Sequence, residues 1–144
     1  MACLLAGCSL FSTAPDLSIA QGTYDLESVD GTALPLAIEG GNCPREIYQG
    51  EMVLFSGGPD SHDPLYSVRV LLRLRCDPNR LLFIDDRRLV EDFGEWTARG
   101  RRVEFTSNKG FGEFTVPIES PPDSPSGVML TLRFGGRMYT FRRT

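Results

Sequence analysis

The stretch Tyr66-Ser-Val-Arg-Val-Leu-Leu-Arg-Leu-Arg-Cys76 constrains the fold of this chain more than any other. Tyr66, Val68, Val70, Leu72, Leu74 and Cys76 share one parity, while Ser67, Arg69, Arg73 and Arg75 occupy the other. Successive side chains of a strand point to opposite faces, so this period of two describes a strand with one face in a core and one in water. From Thr23 onward no window of about 11 residues repeats apolar positions at i, i+3, i+4 and i+7, whereas two-residue alternation recurs. The reading is all-β. Strands are expected at residues 23–29, 33–38, 47–56, 66–76, 81–85, 88–98, 102–107, 112–118, 128–134 and 138–142.

Turn chemistry separates these segments. Asp30-Gly31, Gly57-Gly58-Pro59-Asp60, Asp77-Pro78-Asn79, Asn108-Lys109-Gly110 and Gly135-Gly136 either allow positive φ or fix it near about −65°. Short strands joined by tight turns, with no long crossover, describe an up-and-down antiparallel barrel of about eight strands, which closes without leaving exposed edges. A chain of 144 residues has room for one such domain. Its formal net charge of −4 gives no general pull toward nucleic acid.

The first residues carry a different kind of signal. Leu5-Ala6-Gly7-Cys8 reads as the cleavage box of a bacterial lipoprotein, with small residues where a signal peptidase needs them. On this reading residues 1–7 are the end of a truncated signal, Cys8 is lipidated, and residues 8–21 form a flexible tether that packs against nothing in the barrel. The barrel domain then spans 22–144. An unlipidated N-terminal tail is the alternative, because a four-residue motif also arises by chance.

Cleavage before Cys8 discards Cys3 and leaves Cys43 and Cys76 as one even pair. A disulfide is the simplest use of a single pair in an exported domain. Metal ligation would need more ligands, and His62 is the only histidine. In a cytosolic protein the same cysteines would be free thiols, which leaves their pairing unexplained.

Three segments carry a family resemblance. Tyr24-Asp-Leu-Glu-Ser-Val-Asp-Gly-Thr-Ala-Leu-Pro35 has the form Y-x-L-x-S-V-x-G-x-x-L-P; Gly94-Glu-Trp-Thr-Ala is followed by Val103-Glu-Phe-Thr; and Tyr139-Thr-Phe-Arg-Arg143 lies at the other end. Together these resemble small bacterial lipoproteins with a lipocalin-like β-barrel domain. The resemblance covers the first two strands, the middle hairpin and the last strand, and departs at the Pro-rich segment Ser120-Pro-Pro-Asp-Ser-Pro-Ser126. It implies a lipocalin-like barrel in the bacterial cell envelope, facing the periplasm or the exterior. Ser9 after the cysteine implies the outer membrane, with the lipid anchor making the membrane a partner.

Catalytic chemistry finds no support. Ser61-His62-Asp63 places triad residue types side by side, but a triad converges from separate parts of a fold, and this segment reads as a solvated loop. Asp85-Asp86 and Glu91-Asp92 are neighbours that a strand would point apart, so a turn and an exposed strand face account for them. Nucleotide-binding glycine loops and calcium loops are absent from the sequence. Arg69, Arg73 and Arg75 on one strand, and Arg99, Arg101 and Arg102 at a hairpin, read as solvated faces or as an anion or headgroup patch. The chain is therefore expected not to be an enzyme, with no catalytic residues, no metal and no cofactor. The expected function, as the lipocalin-like resemblance implies, is a module binding a small apolar ligand through residues the sequence does not identify; the alternative is a filled barrel that contacts an envelope protein, such as an inhibitor of a secreted protease or lysozyme.

Overall fold

The computed structural model describes residues 16–38, 45–57, 63–74 and 87–144. They form one turn of 3-10 helix, Leu17–Ile19, and the strands β1 (Gly22–Val29), β2 (Thr32–Ala33), β3 (Leu36–Ile38), β4 (Arg45–Phe55), β5 (Leu65–Leu74), β6 (Arg87–Arg99), β7 (Arg102–Ser107), β8 (Glu113–Pro117), β9 (Met129–Phe134) and β10 (Arg137–Arg143). None of the described helical residues forms a segment long and apolar enough to cross a membrane.

The main strands follow the spatial order β8-β7-β6-β5-β4-β1-β10-β9, every pair antiparallel, with β2 added to β1 and β3 to β4. Each main strand lies beside its neighbour in sequence, and the first pairs with the last through Tyr24 opposite Arg143. This is an up-and-down barrel, nearly closed. The remaining seam lies between β8 and β9, where the one bridge among the described residues joins Glu119 to Met129. Carried on in that register, Pro117 would face Thr131, and proline has no N–H to extend the ladder.

Three residues without a partner in the ladder help the sheet curl. Register shifts leave Glu27 extra in β1, Tyr48 extra in β4 and Leu89 extra in β6. Such bulges bend a strand and increase its twist, which a closing sheet needs. They also reset the inward phase: Leu26 and Val29 are both buried, and so are Ile47 and Gly50. Turns follow the chemistry of their residues. Asp30 and Gly31, with φ of 51° and 79°, join Val29 to Thr32 in the left-handed conformation that a two-residue hairpin favours. The Asp30 carboxylate accepts from Met138 N at 2.8 Å and pairs with Arg137 at 3.2 Å, tying this turn to the β9–β10 hairpin.

The expected strands agree closely with the observed ones. In β5, Tyr66, Val68, Val70 and Leu72 face the core while Ser67 and Arg69 are exposed. The expected strand 33–38 divides at Leu34-Pro35, giving β2 and β3, because a proline there interrupts the ladder. The expected strand 81–85 lies outside the described residues.

The tether expectation needs correction over 16–21. Asp16 caps the 3-10 turn by accepting from Ser18 N at 3.1 Å, Leu17 and Ile19 pack against the core, and Ala20 is fully buried. Burial of these apolar side chains outweighs the freedom that the small, polar composition suggested. Residues 8–15 lie outside the described part.

Tyr24 fixes this N-terminal turn to the barrel, its hydroxyl donating to Ala20 O at 2.5 Å. Burial pushes its phenol from 10.0 up to about 12, against the opposing charge of Arg143. Between these two pH values the unfolded chain ionises Tyr24 while the folded chain keeps the proton, so unfolding is favoured. Unfolding free energy is expected to be unaffected by this group below pH 10 and to fall as pH rises from 10 to 12. Denaturant titrations across that range check it, and a Tyr24→Phe variant should show a shallower fall.

Candidate functional site

Cys8, Cys43, Cys76, Ser61, His62, Arg75 and the Asp85-Asp86 pair all lie outside the described residues. Among the described residues, no group of three or more His, Cys, Asp or Glu side chains is placed to hold a metal ion. The β5 arginines are paired with carboxylates on the neighbouring strand: Arg69 with Glu51 at 3.4 Å, and Arg73 with the buried Glu46. Arg73 also lies over the Tyr48 ring at 5.0 Å. At the β6–β7 hairpin, Arg99 pairs with Glu104 at 3.3 Å and Arg101 donates to Ile118 O at 3.4 Å.

Glu91 and Asp92 separate as strand geometry requires, but only one is on an exposed face. Glu91 meets Lys109 at 3.0 Å on the outside. Asp92 points inward and is 1% exposed. Its carboxylate accepts from the Tyr66 hydroxyl at 2.6 Å, the Ser107 hydroxyl at 2.6 Å and Phe93 N at 2.9 Å. Burial pushes the Tyr66 phenol well above its ordinary range, and the hydrogen bond and charge of Asp92 push it further. Ser107 in turn accepts from Lys109 N at 3.0 Å and Phe111 N at 3.3 Å, so the cluster fixes the β7–β8 turn to β5 and β6. The signal for it was the phase of β6: Asp92 shares parity with Val90, Trp96 and Ala98, all of them buried.

Asp92 with its donors is therefore a structural latch. Asp92→Asn replaces a charged acceptor with an amide whose NH2 must face a hydroxyl, and hydrogen bonds to charged groups contribute about 1.5–3 kcal/mol. The variant is expected to lose about 2 kcal/mol of unfolding free energy. Denaturant midpoints check this, and an unchanged midpoint would remove the latch.

Within the buried core, a chain of rings runs from β5 to β10. Tyr66 meets Phe105 edge-on at 4.9 Å, Phe105 stacks on Phe114 at 4.9 Å, Phe114 meets Phe134 at 5.9 Å, and Phe134 lies 6.2 Å from Tyr139. Trp96 donates its indole N–H to Phe55 O at 2.8 Å. The Phe114–Phe134 contact bridges β8 and β9, so side chains seal the seam where the backbone ladder stops. Each aromatic pair adds roughly 0.5–1.5 kcal/mol beyond its buried area.

A hollow of about 540 Å³ spans β6, β7 and β8, lined on the outward parity by Glu95, Thr97, Glu104, Thr106, Glu113 and Thr115. The registers order them as a checkerboard: Glu95, Thr106 and Glu113 lie in one row across the strands, and Thr97, Glu104 and Thr115 in the next. A second hollow of about 320 Å³ lies over β4, β5 and β6 beside Glu51, Arg69, Glu91 and Phe93. No sequence signal pointed to the first face, since its members come together only through two hairpin registers.

Fold and packing together define a class: a nearly closed up-and-down β-barrel with an apolar core and a hollowed outer face. Compared with protein-family models, curated proteins and solved structures, the chain matches none.

Proposed function

We propose that this is a lipid-anchored envelope protein whose filled barrel acts as a protein-interaction module. The observation that carries the reading is the continuous ring contact from Tyr66 through Phe105, Phe114 and Phe134 to Tyr139, which supports an interior occupied by side chains. A barrel of about eight strands is only just wide enough for side chains or for one small ligand. On this reading side chains take the space, and contact with other molecules falls to the outer surface. The residues that carry the resemblance, Tyr24, Leu26, Val29, Trp96, Phe105, Tyr139 and Phe141, are buried core positions.

Two measurements test the two halves of this reading. A fatty-acid analogue supplied to cells expressing the gene with its upstream codons should label the protein, and Cys8→Ala should abolish labelling; equal labelling of both removes the anchor. Native mass spectrometry of the protein purified from a bacterial envelope should show the chain without a small apolar molecule and with a stoichiometric protein partner. A retained small molecule overturns the interaction reading.

A further inference from the structure

An apolar patch stands out on the outer face of the barrel. Phe55, Leu65 and Phe93 are 45%, 40% and 45% exposed. Phe55 lies directly opposite Leu65, Leu65 opposite Glu95, and Phe93 opposite Ser67, one diagonal step from Leu65. Diagonal neighbours on a sheet face are within reach of aromatic side chains. Leu89, Phe111 and Met138 are also exposed, and it is the clustering of Phe55, Leu65 and Phe93 that marks a contact site.

The patch runs into the hollow of β6–β8. Its row continues from Phe55 and Leu65 to Glu95, Thr106 and Glu113, and Glu104 stands in the row beyond. The charge balance of the two hollows differs. Over β4–β6, Glu51 is paired with Arg69 and Glu91 with Lys109. Over β6–β8, Glu104 has Arg99, but Glu95 and Glu113 have no ion-pair partner among the described residues. These two carboxylates are two strands apart, about 10 Å at the usual strand spacing. They leave a negative potential beside an apolar anchor point, and the complement is a cationic side chain next to an apolar one.

We propose that this face, from Phe55, Leu65 and Phe93 to Glu95, Glu104 and Glu113, docks a basic segment of a partner protein that also carries an apolar anchor. The apolar side chain covers Phe55 and Leu65, and one or two lysines or arginines enter the hollow between the glutamates. The threonines Thr97, Thr106 and Thr115 supply hydroxyls along the same rows. The inference deepens the interaction reading and rests on it.

The test uses the full chain, isotope-labelled for amide NMR, with two synthetic peptides, one alternating lysine and leucine and one alternating glutamate and leucine. The lysine peptide is expected to shift the amides of Leu65, Phe93, Glu95, Thr106 and Glu113, with binding that weakens as salt screens the charges. Glu95→Lys with Glu113→Lys should weaken it about tenfold, since exposed charge reversal acts on steering and salt dependence. Leu65→Ser should weaken binding while leaving its salt dependence in place. Unfolding midpoints like that of the parent show that the variants are folded. Equal binding of the glutamate peptide, shifts on another face, no effect of the double variant, or a response to phosphatidylglycerol vesicles in place of the peptide each overturn the proposal. All of these leave the interaction module standing, which falls only if native mass spectrometry finds a retained small molecule.

Discussion

Gly94→Ala is expected to destabilise the barrel by about 3 kcal/mol, at the upper end of what overpacking in a core usually costs. Gly94 lies in β6 on the inward parity, opposite Tyr66 on one side and Ser107 on the other. A Cβ added there would stand 1.9 Å from Thr106 O, 3.0 Å from Thr106 C and 3.1 Å from Tyr66 Cε1. The nearest obstacle is backbone held in the β6–β7 ladder, so no rotamer change relieves the clash. Either the ladder opens or Tyr66 withdraws, and withdrawal loosens its hydrogen bond to Asp92. At roughly 2–4 °C per kcal/mol for a chain near this size, the melting temperature should fall by about 10 °C. Gly112→Ala is a useful contrast: nothing lies within 4 Å of its added Cβ, and only its φ of +73° opposes a side chain. That variant should lose about 1 kcal/mol. Equal melting temperatures for Gly94→Ala and the parent would show that the two strands are not held as closely as described.

Much of the barrel was legible because its strands are buried on one face. The alternation of Tyr66, Val68, Val70 and Leu72 gave both the strand and its inward side, and Asp30-Gly31 and Gly135-Gly136 marked hairpins through their tolerance of positive φ. What escaped depends on the register between strands. Glu27, Tyr48 and Leu89 are extra only with respect to a partner strand, so alternation in one strand does not reveal them. In the sequence Glu91-Asp92 reads as an exposed acidic pair, because such pairs are usually solvated; three donors, Tyr66, Phe93 and Ser107, compensate the burial of Asp92. The face of Glu95, Glu104 and Glu113 is harder still. Its residues meet through two hairpin registers, and that Glu104 has Arg99 while Glu95 and Glu113 have no ion-pair partner among the described residues depends on where neighbouring elements place their cations.

Reducing or removing a Cys43–Cys76 disulfide is expected to lower unfolding free energy by about 3–4 kcal/mol, on the chain-entropy model for a loop of roughly 30 residues. Both cysteines lie outside the described residues. The expectation rests on the sequence, in which Cys43 and Cys76 are the even pair left once cleavage before Cys8 discards Cys3. The last described pair at the nearer end of β4 and β5 is Arg45 with Leu74, two residues along the chain from each cysteine. Alkylation under denaturing conditions should label neither cysteine before reduction and both after it, read as a mass increase of two adducts. Cys43→Ser with Cys76→Ser should lower the denaturant midpoint, and reductant should lower the parent's midpoint but not that of the double variant. Labelling of both cysteines before reduction, or a midpoint indifferent to reductant in the parent, would show that they are free thiols and that the barrel closes without a covalent tie.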